Sequence, residues 1–246
     1  MSDNLQVQDS ATEGLVQPLY TPIKRRSFFL YAGATAGATA LVLAGCSKDD
    51  NNSPSGSAST TDVGAGDPGV LNYAYALEQL EAAFYAQVLA GSYFSGASAA
   101  EKQIFGDIAL HEKIHVDFFK TALGTNAIKA LNPEFSSIDF TSRTSVLAAA
   151  KAFEDLGVAA YNGAGQYITD PNYLTLAGKI VSVEARHAAL IRDLIAPNTF
   201  VGNDVVDFST TSATARQEMS KLPSVVLATA NKFLKADSQL SATNFG

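Results

Sequence analysis

The sequence contains no tryptophan and a single cysteine, Cys46, among its 246 residues. One cysteine cannot form an intramolecular disulfide, and it cannot supply a zinc or iron–sulfur site built from several thiolates. Any metal held by the folded chain must therefore be bound by nitrogen and oxygen atoms. Hydrophobic residues make up 47% of the chain, with abundant Ala, Leu and Val, and this balance favours packed helices over a sandwich of short strands. We expect an all-α fold.

Basic residues are scarce relative to acidic ones. The chain has 17 Lys and Arg against 24 Asp and Glu, for a net charge of −7. No stripe of Lys and Arg occurs in the part that we expect to fold, and such a stripe is the usual footprint of a nucleic-acid surface. We therefore expect no nucleic-acid partner.

The chain also lacks an apolar run of the roughly 20 residues that a membrane-spanning helix needs. Its nearest equivalent is residues 27–43, an uncharged segment preceded by Lys24, Arg25 and Arg26. This charged-then-apolar order is typical of a secretory signal. The segment runs into Leu-Ala-Gly followed by Cys46, which resembles the lipobox of bacterial lipoproteins.

Residues 1–45 are accordingly predicted to be a lipoprotein signal peptide, with Cys46 lipidated and the protein attached to a membrane. A transmembrane helix is the alternative interpretation. Arg25 and Arg26, followed by Ser-Phe-Phe-Leu, also resemble a twin-arginine signal, so the export route stays open. Residues 47–50 resemble the acidic export tag of surface lipoproteins, and we expect the protein in the outer membrane or on the cell surface.

Periodic apolar positions predict four long helices. They span about residues 70–90, 99–123, 145–167 and 172–195. Residues 125–142 would form a long crossover between the second and third helices. These elements predict an up-down four-helix bundle over residues 68–196, preceded by a flexible polar tether at 46–67. Residues 197–246 would form a C-terminal extension with a short helix near 223–234, to which we assign no chemistry.

The first and third predicted helices share a pattern. Each carries a glutamate followed seven residues later by a tyrosine: Glu78 and Tyr85 in one, Glu154 and Tyr161 in the other. Seven residues return to nearly the same helix face about 10 Å further along. The tyrosines are predicted to donate hydrogen bonds to the carboxylates or to take up a stray electron, and the alternative is that they only pack in the core.

The second and fourth predicted helices share a different pattern, Glu-x-x-His. It is formed by Glu112 and His115 in one helix and by Glu184 and His187 in the other. Residues three apart stack on one face of a helix, so each pair presents its carboxylate and imidazole together. The sequence therefore predicts two related helical hairpins with approximate two-fold symmetry.

One glutamate from each of two helices, with Glu-x-x-His from each of the other two, is the ligand pattern of ferritin-like di-iron and dimanganese carboxylate proteins. On these motifs the chain resembles, over about residues 68–195, the bacterial ferritin-like family that includes desiccation-related proteins. The resemblance implies six metal ligands with the following roles. Glu78 and Glu154 would be terminal ligands, Glu112 and Glu184 bridging carboxylates, and His115 and His187 one imidazole for each metal.

Two metal ions also agree with elementary electrostatics. Buried carboxylates are destabilising by several kcal/mol each unless they are paired or metal-bound, and two divalent cations would neutralise four of them. Oxygen ligands with some imidazole suit iron or manganese, and we expect iron. The resemblance implies an oxidoreductase of the cell envelope in which two ferrous ions reduce O₂ or H₂O₂ in oxidative or desiccation stress. A dimanganese catalase-like enzyme and a non-catalytic metal-binding lipoprotein are the alternatives, and a homo-oligomer stays open.

Two further features have competing interpretations. His111 and His115 complete a His-Glu-x-x-His sequence, which is the zinc-peptidase motif, and Glu134 would be its third ligand. That reading leaves the matching motif of the fourth helix unexplained, so we expect His111 at the surface or beside the ligands. Glu81 lies one turn beyond Glu78, and it is either a seventh, movable ligand of the kind held by rubrerythrin-like proteins or a solvated side chain.

Overall fold

The computed structural model describes residues 60–245, which form six α-helices and two short strands. The predicted signal residues Arg25 and Arg26 and the predicted lipidation site Cys46 lie outside the described residues. Within residues 60–245, no helix is both long enough and apolar enough to cross a bilayer.

Four of the helices make up the bundle, and the all-α prediction is confirmed. Helix α1 spans Gly66–Ala90, α3 spans Ala99–Leu123, α4 spans Arg143–Ala164 and α5 spans Pro171–Ile195. A five-residue helix that was not predicted, α2 at Ser92–Gly96, turns the chain between α1 and α3. The closest packing is within two hairpins, α1 with α3 and α4 with α5, and α1 also contacts α4. The hairpins therefore meet along α1 and α4.

Local sequence explains where three of these helices begin. The hydroxyl of Ser98 accepts a hydrogen bond from the amide of Glu101, and that of Ser142 accepts one from the amide of Ser145. Asp170 caps α5 in the same way, with Pro171 in the first turn. These side chains satisfy amide groups that have no partner within the helix. The cap positions fix the ends of the helices and so the register of the residues that they carry.

Helix α1 begins earlier than the predicted residue 70. Its first turn contains Asp67 and Pro68, and proline is accepted there because the first amides of a helix have no intrahelical partner. Just before it, strand β1 (Thr61–Asp62) pairs in parallel with strand β2 (Leu240–Ser241), and Val63 is buried. Residues 60–67 therefore belong to the fold, although we predicted them as the end of a flexible tether.

The long crossover between α3 and α4 runs over the bundle. It follows Gly124, whose positive φ of 55° ends α3 in a conformation that favours glycine. Leu131 and Phe135 of the crossover are buried, and the side-chain oxygen of Gln79 accepts a hydrogen bond from the amide of Leu131. The crossover thus closes one side of α1.

The C-terminal extension is part of the same core. Helix α6 spans Pro223–Ala230, and its residues Val226 and Leu227 are fully buried. Before α6 the chain passes so close to α4 that a side chain at Gly163 would place its Cβ only 1.8 Å from the carbonyl oxygen of Lys221. After α6, the ring of Phe233 packs on the ring of Phe153, with centroids 4.8 Å apart. The extension therefore covers the outer face of α4 instead of forming a separate appendage.

Candidate metal centre

The four glutamates of the repeated motifs lie in the centre of the bundle. Glu78, Glu112, Glu154 and Glu184 have no exposed surface, and they come from α1, α3, α4 and α5 in turn. His115 and His187 are also buried, at 9% and 5% exposure. Four carboxylates and two imidazoles from distant parts of the chain thus share one internal volume. Such a cluster would be strongly destabilising if all its carboxylates were ionised without a compensating charge.

The six side chains divide into two groups, in each of which four potential ligand atoms lie within 4.8 Å of one another. The first group consists of Glu78, Glu112, His115 and Glu184, and the second of Glu112, Glu154, Glu184 and His187. Glu112 and Glu184 belong to both groups. A carboxylate has two oxygens and can face two ions at once, so this sharing is the geometry of a pair of adjacent metals. The groups contain neither His111 nor Glu134, and the three-ligand zinc-peptidase site is not formed.

Several ligand atoms are about 3 Å apart across the groups. Nδ1 of His115 lies 3.0 Å from Oε1 of Glu184 and 3.1 Å from Oε2 of Glu78. Nδ1 of His187 lies 2.9 Å from Oε1 of Glu112. Two ligands bound at about 2.1 Å from one ion and 90° apart are about 3 Å from each other. The spacing therefore fits a shared coordination sphere.

The directions of these atoms support the same conclusion. Among the described residues, Nδ1 of His187, one oxygen of Glu154 and both oxygens of Glu112 and of Glu184 are buried without a hydrogen-bond partner. His187 and Glu112 are thus in close contact, but their atoms are not aimed at each other as donor and acceptor. Buried polar atoms normally have hydrogen-bond partners. Several unpartnered nitrogen and oxygen atoms close together therefore indicate a binding site for a cation. The residues present fit a metal ion in each group.

The titration behaviour of the cluster reflects its crowding. Burial, reinforced by the neighbouring carboxylates, raises the pKa of Glu78 to about 7 and that of Glu184 well above its usual value. Burial opposes ionisation of Glu112 too, but contacts with His115 and His187 lower its pKa to about 2. Burial disfavours charge on the imidazoles, but the carboxylates around them raise the pKa of His115 to about 12 and that of His187 to about 10. In the absence of metal, protons bound to these carboxyl groups and imidazoles would supply the compensating positive charge.

The two tyrosines of the repeat cross between the hairpins. The hydroxyl of Tyr85 on α1 donates to Oε1 of Glu154 on α4, and the hydroxyl of Tyr161 on α4 donates to Oε1 of Glu78 on α1. Both tyrosines are buried. Each hairpin therefore orients one buried carboxylate of the other hairpin.

With this geometry established, the comparison with known proteins is decisive for the family. A family model described as the ferritin-like domain matches residues 66–197. The chain belongs to the ferritin-like domain family. A search of curated proteins found no match. The match covers all four bundle helices of this ferritin-like domain, and the extension of residues 198–246 lies beyond it.

Glu81 makes the ferritin-like domain unsymmetrical. It is buried, with 4% exposure, so the interpretation as a solvated side chain is wrong. The position on α4 that corresponds to Glu81 holds Gly157, and a Cβ at Gly157 would lie 3.1 Å from Oε1 of Glu81. Glycine at 157 thus leaves the room that the extra carboxylate occupies. Burial and four neighbouring carboxylates raise the pKa of Glu81 well above its usual value.

His111 lies beside the centre, which is one of the two positions that the sequence left open for it. Its Nδ1 lies 3.0 Å from Nε2 of His187, and the two rings are stacked. The motif placed His111 next to Glu112, but only the rotation of α3 towards α5 brings it to His187. The zinc-peptidase motif was the signal that drew attention to His111, and it indicated the wrong chemistry.

Proposed function

We propose that this ferritin-like domain holds two iron ions and serves as an oxidoreductase that consumes O₂ or H₂O₂ on the cell envelope, in protection against oxidative or desiccation stress. The observation that carries the proposal is the sharing of Glu112 and Glu184 between the two ligand groups. Two ions bridged by carboxylates can deliver two electrons to one oxidant, which is the chemistry that the pair supplies when bound.

The protein's own residues would contribute binding, orientation and the exclusion of water. Glu78 and His115 would complete the first group and Glu154 and His187 the second. The donor set of oxygen and imidazole nitrogen fits iron or manganese and lacks the thiolates that favour copper(I) or structural zinc. Tyr85 and Tyr161 hold a proton on their hydroxyls and direct it at Glu154 and Glu78.

Glu81 is proposed as a seventh ligand that is used only part of the time. It lies outside both ligand groups, and burial among carboxylates raises its pKa, which favours the protonated form when the centre is free of metal. The two ions gain positive charge when they are oxidised, so an additional carboxylate nearby would compensate that charge. Such a ligand must be able to move, and Gly157 provides space beside it.

The proposed cellular address rests on the sequence. Cys46 follows Leu-Ala-Gly at the end of an apolar segment, and a lipid on its thiol would attach the protein to the outer membrane or cell surface. Metabolic labelling with an alkyne-bearing fatty acid tests this part. Wild-type protein should carry the label and fractionate with membranes, and the Cys46→Ser variant should lose both properties. A labelled C46S variant would refute the lipid anchor.

The metal proposal is tested by elemental analysis of protein purified from its native host. We expect about two iron ions per chain, the number implied by the ligand pattern. Glu112→Gln removes charge from a carboxylate common to both groups and should abolish binding of both ions. Glu154→Gln alters only the second group and should spare one ion. Glu134→Gln, outside both groups, is the control and should retain both ions.

The same preparations separate the catalytic alternatives. Metal-loaded wild-type protein should consume H₂O₂ or O₂, and the Glu112→Gln variant should not. Two manganese ions with peroxide disproportionation would favour a catalase-like enzyme instead. A protein that retains its metal but consumes neither oxidant would be a non-catalytic metal-binding protein, and the oxidoreductase proposal would be wrong.

A further inference from the structure

A small cavity lies at the end of the bundle where α1 and α5 begin and α3 and α4 end. Its wall includes Ala74 and Leu77 of α1, Phe119 of α3, Tyr161 of α4, and Ala177 and Ile180 of α5. Its wall consists of aliphatic and aromatic side chains, none of them charged, and the hydroxyl groups of three tyrosines are its only side-chain polar groups. Ala74, Phe119 and Tyr161 belong to an apolar cluster separate from the main core, and Ala177 and Ile180 pack against it, whereas Leu77 belongs to the main core. The cavity is therefore an apolar space that the metal-binding groups do not use.

The size of the cavity restricts what it can bind. Its volume is about 30 Å³, whereas one water molecule needs roughly 10–15 Å³. The space thus accommodates a molecule of about two heavy atoms. Water is disfavoured because an internal water normally requires two to four polar partners, and apolar cavities stay dry and bind apolar atoms such as xenon. Hydrogen peroxide has the same need for hydrogen bonds as water.

The cavity lies between half-buried residues of α5 and a tyrosine that contacts the candidate metal centre. Its outer wall is formed by half-buried residues of α5, including Ala177 and Ile180. Its inner wall includes buried Leu77, which directly precedes Glu78, and buried Tyr161. The hydroxyl of Tyr161 donates to a carboxylate oxygen of Glu78. The side chain of Tyr161 therefore lines the cavity and also forms a hydrogen bond with a residue of the first ligand group.

We infer that this cavity binds dioxygen and delivers it to the metal centre past Tyr161. An uncharged diatomic molecule matches both the volume and the apolar wall, and it partitions from water into such a space without losing hydrogen bonds. This inference rests on the proposed function and narrows it, because it selects O₂ over H₂O₂ as the oxidant that enters by this path.

Xenon binding tests the cavity without any metal. Metal-free wild-type protein should take up one xenon atom, detected by the ¹²⁹Xe chemical shift and by shifts of the Ala74 and Ala177 methyl resonances. Ala177→Leu adds three carbons to the cavity wall and should abolish this uptake. The matched control is Ala189→Leu, a half-buried alanine of the same helix that lines a different cavity beside the C-terminal extension, and it should bind xenon as the wild type does. Absence of xenon from the wild-type protein would overturn the inference.

Delivery is tested by reacting iron-loaded protein with each oxidant. In the Ala177→Leu variant, oxidation by O₂ should slow severalfold while oxidation by H₂O₂ keeps the wild-type rate, and Ala189→Leu should change neither. Ala74→Val, in the part of the wall that α1 forms, should also slow oxidation by O₂. Agreement between the two variants would show that the effect does not come from misfolding of one of them. If Ala177→Leu slowed oxidation by O₂ and by H₂O₂ equally, or slowed neither reaction, delivery through the cavity would be refuted. If the protein bound xenon but no metal, the proposed function would fail on its own and the gas-binding cavity would stand.

Discussion

Nδ1 of His111 lies 3.0 Å from Nε2 of His187, with the ring planes 23° apart and the centroids separated by 5.2 Å. Burial and the charges of the neighbouring histidines lower the pKa of His111, so its ring is neutral at physiological pH and Nδ1 can accept a hydrogen bond. When a metal ion occupies Nδ1 of His187, Nε2 of His187 can keep its proton and donate it to Nδ1 of His111. On α5 the position equivalent to His111 holds Val183, which has no ring nitrogen. The motif of α3 therefore provides a histidine partner for His187, and the motif of α5 provides no equivalent partner for His115.

The first prediction concerns this difference. His111→Ala should weaken binding of the ion in the His187 group by about 10–100-fold, the usual effect of removing a partner of a metal-bound histidine. The ion in the His115 group should keep its affinity. Anaerobic titration with Co²⁺, followed by its absorption spectrum, resolves the two sites. His111→Asn, which retains an acceptor, should restore part of the affinity, and Val183→Ala is the control. Equal weakening of both sites would contradict the prediction.

The second prediction is a pH dependence of the metal-free protein. Burial raises the pKa of Glu78 from 4.5 to about 7, and carboxylate neighbours raise that of His187 from 6.5 to about 10 against the effect of burial. Between about pH 5 and about pH 8 the folded protein therefore binds more protons than the unfolded chain, and the free energy of unfolding falls as the pH rises. The lowered pKa of Glu112 acts in the opposite direction, but only below its unfolded value of 4.5.

Thermal unfolding in the presence of a chelator measures this dependence. The midpoint should decrease from about pH 5 to about pH 8, and Glu78→Gln should flatten the decrease because it removes one of the groups responsible. Glu134→Gln should leave the slope unchanged. Saturating Mn²⁺ should reverse the trend, because metal displaces protons and binds more tightly at higher pH. A metal-free protein that became more stable over this range would disprove the assignment.

The third prediction separates Glu81 from the permanent ligands. Glu81→Gln replaces a carboxyl group that lies outside both ligand groups by an uncharged group of the same shape, so both divalent ions should still bind. Oxidation of the bound ions should slow, because the compensating carboxylate is missing. Gly157→Ala, whose new methyl would lie 3.1 Å from Oε1 of Glu81, should restrict the same movement and slow oxidation as well. Elemental analysis and stopped-flow absorbance give the two readouts. Loss of an ion from Glu81→Gln would instead make Glu81 a permanent ligand.

The fourth prediction concerns the C-terminal extension. Leu227 of α6 is 2% exposed, and Leu227→Ala should lower the free energy of unfolding by about 2–5 kcal/mol through loss of burial and creation of a cavity. Val225 of the same helix is 52% exposed, and Val225→Ala should change stability by no more than about 0.5 kcal/mol. Urea unfolding of both variants is the measurement. Similar small effects for both would show that the extension contributes little to the core.

The sequence allowed the bundle to be predicted because its signals are local. The spacing of apolar residues and the stop at Gly124 locate α3 at the residues observed, 99–123. The start of α1 was predicted too late because Pro68 was taken as a signal ahead of the helix, although the first turn accepts proline. The contribution of α6 could not be predicted, because an eight-residue apolar segment does not reveal which surface it will cover.

The candidate site followed from repetition, since the same residue types recur at matching positions in two hairpins. The repeat identified the glutamates and histidines that the structure brings together, and whether they bind metal stays a prediction. The repeat could not identify His111, because its contact with His187 depends on how α3 and α5 are rotated against each other. It also left the burial of Glu81 undecided, because the deciding residue, Gly157, lies on another helix.

The two hairpins differ at one equivalent position, which is Glu81 in the first hairpin and Gly157 in the second. Two copies of the first hairpin, paired with each other, would reproduce the crossed tyrosine contacts and the same set of glutamates and histidines. Such a self-pairing would also bring two copies of Glu81 face to face in a dry interior, where even a single added Cβ would lie 3.1 Å from Oε1 of Glu81, so the lack of space opposes assembly. Pairing with the second hairpin places a hydrogen atom opposite Glu81 instead. A gene encoding only the first half should therefore yield a poor homodimer, and replacing Glu81 by glycine in that half should improve its self-association.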